Sequence, residues 1–140
     1  MRFSTRAEAA LRRNGGRITA ARRALIRTIE RSPRPLRPHE LRALLASEGV
    51  RMDRVSVYRT LAALLDLGLV HRVIGSRAVR PCRENELRCH HAIVCSGCGS
   101  AREFHSGALE RALSEVRRAT RYQVQDHVLE LRGICERCRR

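Results

Sequence analysis

Lysine is missing from this chain: all 29 basic residues are arginine, set against 14 acids, for a formal net charge of +15. No run of roughly 18 apolar residues occurs, which excludes a helical membrane span. The N-terminal residues also lack the apolar core of a secretory signal. The expected location is therefore the reducing cytoplasm, where paired cysteines favour metal over disulfide. No His-x-Glu is present and neither Cys-x-x-Cys follows a proline, so the signature of a zinc-dependent nucleobase deaminase is absent. No enzyme is expected.

The strongest positive feature is a pair of knuckles, Cys95-Ser-Gly-Cys98 and Cys135-Glu-Arg-Cys138. Two thiolates three positions apart on a tight turn grip one ion. Two such turns complete a tetrahedral Cys₄ site, which suits structural Zn²⁺. Gly97 and Gly99 sit where a knuckle needs permissive backbone. Two disulfides, or reduced core thiols, are the alternatives.

The charge is uneven. Residues 1–80 carry 18 arginines against 6 acids, whereas residues 81–140 carry 11 against 8. A basic half joined to a Cys/His-rich half implies division of labour, with the first meeting a polyanion and the second binding metal. Arginine richness alone can reflect codon usage, but codon usage does not explain the asymmetry.

Apolar periodicity predicts helices over 4–13, 20–31, 38–47 and 54–67, with Thr19 and Asp53 as N-caps and Pro38 in a first turn. Val57, Leu61, Leu64 and Leu65 mark the core side of the fourth helix, and Gly68 stops it. Two short strands, 69–74 and 78–82, follow. This order makes a winged helix-turn-helix. Beyond it, strands are expected over 91–95, 101–104 and 123–132, with a helix from Ser106 to about 119. The fold class is thus α+β: an N-terminal winged helix-turn-helix over 1–81, a hinge over 82–88, and a small α/β lobe over 89–140.

On the fourth helix, Ser56, Arg59, Thr60 and Ala63 are read as facing away from the leucines, flanked by Tyr58. Such a helix suits the major groove. Arg59 can bond a phosphate or a guanine edge, and Tyr58 can pack on a thymine methyl or bond the backbone. Arg17, Arg22 and Arg23 near the second helix are phosphate contacts or solvated surface.

The segments Gly16-Arg17-Ile18-Thr19-x-x-Arg22, Val57-Tyr58-Arg59-Thr60-Leu61 and His90-His91-x-x-x-Cys95-x-x-Cys98-Gly99, together with Cys135-x-x-Cys138, resemble the ferric-uptake-regulator (Fur) superfamily of metal-sensing repressors. The likeness runs over about residues 5–138. It implies a C-terminal dimerisation lobe, and a homodimer that binds palindromic operators in double-stranded DNA when a regulatory metal is held. His71, Cys82, His90 and Glu103 resemble the regulatory site of the zinc-uptake (Zur) branch, with His91 adjacent as an alternative to His90. Thiolate and imidazole suit zinc, whereas an iron site would be richer in histidine and carboxylate. Cys89, His91, Glu110 and His127 fall where many relatives hold a further metal, with histidine in place of Cys89. The expected function is a zinc-responsive repressor of zinc-uptake genes carrying one structural and one regulatory zinc. The alternatives are an iron, manganese or peroxide sensor of the same family, or a zinc-stapled protein-interaction module without DNA.

Overall fold

A computed structural model of the chain describes residues 1–83, 91–125 and 127–140. The chain divides into two compact units, Met1–Asn85 and Glu86–Arg140. Most of the hinge expected over 82–88, together with Cys89 and His90, lies outside the described residues.

The first unit contains α1 (Phe3–Arg13), α2 (Ala20–Arg31), α3 (Pro38–Ser47), α4 (Arg54–Asp66), β1 (Val70–Arg72) and β2 (Val79–Pro81). Local chemistry sets the helix starts. The Thr19 hydroxyl accepts from the Arg22 backbone N–H at 3.2 Å. Asp53 Oδ1 accepts from the Ser56 N–H at 2.9 Å, so orphan donors at each helix start are satisfied. At α3, Pro38 takes the first turn while the Glu40 carboxylate accepts from the Arg37 N–H at 2.7 Å. Gly68, at φ +65°, ends the turn after α4.

The helices converge on one core. Leu25, Ile26, Leu41, Leu45 and Leu64 are fully buried, and α1 adds Phe3, Ala7, Ala10 and Leu11. Leu44, which the period of α3 puts with the core, is instead exposed. β1 and β2 pair antiparallel with His71 opposite Arg80. The wing is tied back at Leu36, whose N–H and C=O both bond Val79.

The second unit contains β3 (His91–Cys95), β4 (Ala101–Phe104), α5 (Gly107–Thr120), β5 (Glu130–Gly133) and a 3₁₀ turn over Glu136–Arg139. The sheet order is β4-β3-β5, with β3–β4 antiparallel and β3–β5 parallel. Ser106 caps α5 through the Leu109 N–H. The strand expected over 123–132 is a correction, since among the described residues there only Glu130–Gly133 forms a ladder. Its apolar residues Val124 and Val128 are exposed, so the alternation there does not mark a buried sheet face.

Leu64 is the pivot between α4 and the core. Leu64→Ala is expected to destabilise the first unit by about 2–5 kcal/mol, the usual cost of a buried leucine cavity. Denaturant melts followed by circular dichroism, with metal content as a control for the second unit, check this.

Candidate metal centres and nucleic-acid interface

The β3–β4 turn presents Cys95 and Cys98, and the 3₁₀ turn presents Cys135 and Cys138. One donor atom from each of the four lies within 4.8 Å of the others. Cys98 Sγ and Cys135 Sγ are 3.8 Å apart. A disulfide needs about 2.05 Å, whereas zinc–sulfur bonds of about 2.3 Å set tetrahedral sulfurs about 3.8 Å apart. The spacing therefore fits a metal and excludes a disulfide between this pair. Gly99, at φ +71°, supplies the left-handed residue of the first knuckle. Gly97 serves closeness instead: a Cβ there would stand 3.1 Å from both Cβ and Sγ of Cys138.

The thiols are electrostatically at odds without a cation. The backbone N–H of Cys135, 3.3 Å from Cys95 Sγ, leads the contacts that pull that thiol down to about 6. The Ser100 hydroxyl lowers Cys98. Cys138 is pushed up to about 12, first by Cys135 and then by Cys98. Four adjacent sulfurs cannot all ionise alone, and a central dication reverses that logic.

In the first unit the hairpin brings His71 and Cys82 together, with donor atoms within 4.8 Å. Register explains it. His71 lies opposite Arg80, and Cys82 lies two residues beyond Arg80, making it a diagonal neighbour on the same sheet face. Cys82 is buried, its N–H bonds Leu69 O at 2.8 Å, and the Arg6 guanidinium donates to its carbonyl. Glu103 belongs to the second unit, on β4 opposite Ala92.

A further cluster joins His91, Glu110 and His127, with donor atoms within 4.8 Å. His91 Nε2 is 3.1 Å from Glu110 Oε1, and the ring is wholly buried. Its Nδ1 has no hydrogen-bond partner among the described residues. An orphaned buried nitrogen beside a second imidazole is a donor set that fits a cation.

On α4 the structure revises the expected outer face. Thr60 is 1% exposed and its hydroxyl donates to Ser56 O at 2.9 Å. Ala63 packs on the core as well. At about 100° per residue, position 60 lies beside the Val57–Leu61–Leu64 stripe rather than opposite it. The exposed face is formed by Arg54, Val55, Tyr58, Arg59 and Ala62. Arg54 stacks over the Tyr58 ring at 5.6 Å.

Two grooves flank this helix. One, of about 390 Å³, brings Arg17, Arg22, Ser56 and Arg59 together with Arg51. The other, of about 530 Å³, is lined by Arg37, Arg42, Arg54, Tyr58 and, from the wing, Arg77. Arg23 is half-committed elsewhere, paired with Glu8 at 3.3 Å. Sequence reasoning missed Arg37, Arg42, Arg51 and Arg77. Only their position just before α3, on its outer face, just before α4's cap and on the wing could have marked them.

A model of the ferric uptake regulator family matches residues 13–132. The chain belongs to that family. The ferric uptake regulation protein of Bacillus subtilis (strain 168) is 28% identical over 126 residues, covering 87% of this chain and 85% of that protein. The peroxide-responsive repressor PerR of Staphylococcus epidermidis is 26% identical over 132 residues, covering 94% and 87%. Among solved structures, a zinc uptake regulator complexed with zinc and DNA superposes with a TM-score of 0.81 at 22% identity, covering 96% of this chain and 91% of that one. Holo XcZur gives a TM-score of 0.77 at 27% identity, covering 98% and 96%. Like the rest of the family, the chain is a metal-responsive, DNA-binding transcriptional regulator and not an enzyme. No helix among the described residues is long and apolar enough to cross a membrane.

The closeness of Gly97 to Cys138 carries a prediction for this metal-binding regulator. Gly97→Ala should push the two knuckles apart and speed loss of metal to a competing chelator, while the first unit's melt is unchanged. Chelator-exchange kinetics read this. Unchanged kinetics would show that the knuckles absorb the methyl.

Proposed function

We propose that this regulator senses zinc and, as a homodimer, represses zinc-uptake genes from palindromic operators. The observation that carries the choice of metal is the pairing of buried Cys82 with His71 on the wing. A thiolate beside an imidazole is a soft donor pair that suits zinc, and an iron site would draw more on carboxylate and histidine. By family resemblance His90 and Glu103 complete the set. The likeness to holo XcZur supports the same reading, although the curated relatives above are named for iron uptake and peroxide response.

The roles divide as follows. Cys95, Cys98, Cys135 and Cys138 hold a permanent structural zinc, whose binding free energy is folding free energy for the second unit. His71 stands on β1 and Cys82 directly follows β2, and β1 follows α4 in one packed body through Leu64, Leu69 and Val70. Fixing those two donors thus fixes the recognition helix with them. Bound zinc supplies a multivalent crosslink among these donors. Residues Arg17, Arg22, Arg51 and Arg59 take phosphates or base edges, and Tyr58 adds an aromatic contact; Thr60 serves the helix interior. The exposed Ile93, Val116, Val128, Leu131 and Ile134 of the second unit support self-association.

Cys82→Ser is expected to keep one chelator-resistant zinc and the dimer while losing zinc-enhanced operator binding. Metal content before and after mild chelation, with gel shifts at controlled free zinc, measures both. Undiminished zinc-enhanced binding in that variant sinks the assignment. In the unaltered protein, two zinc ions per chain fit this reading, and a third would assign the His91, Glu110 and His127 group together with Cys89.

Arg59→Ala should cost about 1–3 kcal/mol on the operator if Arg59 meets a guanine edge. Equal loss on every DNA sequence, with a shallower salt dependence, would make it a phosphate contact.

A further inference from the structure

The outer ridge of α4 carries an exposed apolar side chain between two arginine-lined grooves. Val55 is 57% exposed in the first turns of a helix whose neighbours on both flanks are arginine. At about 100° per residue, the buried arc of α4 centres on Val57, Thr60, Leu61 and Leu64, and position 55 falls roughly opposite that centre.

The two grooves beside the helix fix what this ridge meets. Arg54, Val57 and Tyr58 border one groove, whereas Asp53, Ser56 and Arg59 border the other. These two sets lie on opposite sides of the helix, and Val55 lies between them. One groove adds Arg37, Arg42 and Arg77, and the other adds Arg17, Arg22 and Arg51. Two positive troughs separated by a helical ridge match the two phosphate backbones that border a major groove about 12 Å wide. With each backbone in one trough, the ridge points at base edges. An apolar side chain there has one apolar partner on the groove floor, the C5 methyl of thymine.

We propose that Val55 is a specificity-determining residue that reads a thymine methyl in each operator half-site. This rests on the DNA-binding reading above and names a base within it.

The test uses the full-length, zinc-loaded protein. Its preferred site is first selected from a random duplex pool. Each thymine of that site is then replaced in turn by uracil, which lacks only the C5 methyl. One uracil position per half-site should weaken the unaltered protein about fourfold, the transfer free energy of one buried methyl. Val55→Ala, which removes the contact from both half-sites of the proposed homodimer, should bind the thymine site about 16-fold more weakly and be indifferent to uracil at that position. Val55→Thr, which keeps one methyl and the branched shape, should retain part of the sensitivity. Val55→Ala that keeps full sensitivity at every position overturns the proposal, as does a selected site with no uracil-sensitive position. If the unaltered protein enriches no sequence, the DNA reading fails first, which is a separate outcome.

Discussion

The second unit has almost no apolar interior of its own, and much else follows from that. Among its described residues only His91, Ala92 and Cys95 are buried, and α5 buries none. A unit this small cannot offset chain entropy with so few packed side chains. The four thiols supply the missing constraint by joining the β3–β4 turn to the 3₁₀ turn at the chain's far end. The protein backbone takes part, since the Cys135 N–H bonds Cys95 Sγ before any cation is considered. What the thiols leave uncovered includes the paired Ile93 and Leu131 on the sheet, and Val116 on α5, all exposed. A second copy of the chain is the covering that the proposed homodimer provides, so metal and partner are two answers to one shortage.

The first unit has the opposite problem: a sufficient core but too much charge of one sign. Its acids are placed to manage this. Glu8 holds Arg12 and Arg23, Glu48 holds Arg31, and Glu40 holds Arg34 while capping α3. Exposed pairs of this kind add little stability each. Their position matters more, because they neutralise arginines away from α4 and leave the two grooves beside it strongly positive. Asp53 is the exception that lines a groove. Its carboxylate accepts from both the backbone and the hydroxyl of Ser56, which holds its pKa below the usual range and keeps it committed to the cap. The resulting field focuses polyanion on α4, the proposed recognition helix.

Much of this was legible in the sequence, for identifiable reasons. Helix starts at Thr19, Asp53 and Ser106 were readable because a cap is a local event, decided within three residues. The Cys₄ set was readable because ligand chemistry restricts spacing. Reading failed where the answer is tertiary. The pattern puts Thr60 on the outer face because a small polar residue gives no sign that a neighbouring carbonyl will satisfy it inside. The alternation over 123–132 overstates the strand because alternation cannot distinguish a sheet face from a surface awaiting a partner. The grooves were invisible because Arg37 and Arg77, or Arg17 and Arg51, meet only after the helices pack.

Metal sensing in this fold must also satisfy linkage. His71 lies on, and Cys82 directly follows, a hairpin whose strands are only three residues long, which is held to the helical body by Leu36, Leu69 and the Arg6 contact to the Cys82 carbonyl. Such donors cannot shift without disturbing the wing, so any preference they express for metal is expressed through the geometry of α4. Moving an operator-competent fraction from 1:99 to 99:1 takes about 5.5 kcal/mol of differential metal binding. In the proposed zinc sensor the coupling also acts in reverse, with operator DNA tightening the donors' hold on zinc by the same factor by which zinc tightens operator binding. A wing held less firmly would bind metal without reporting it to the DNA surface. The buried attachment of Cys82, rather than its sulfur alone, is therefore what suits it to the proposed sensing role.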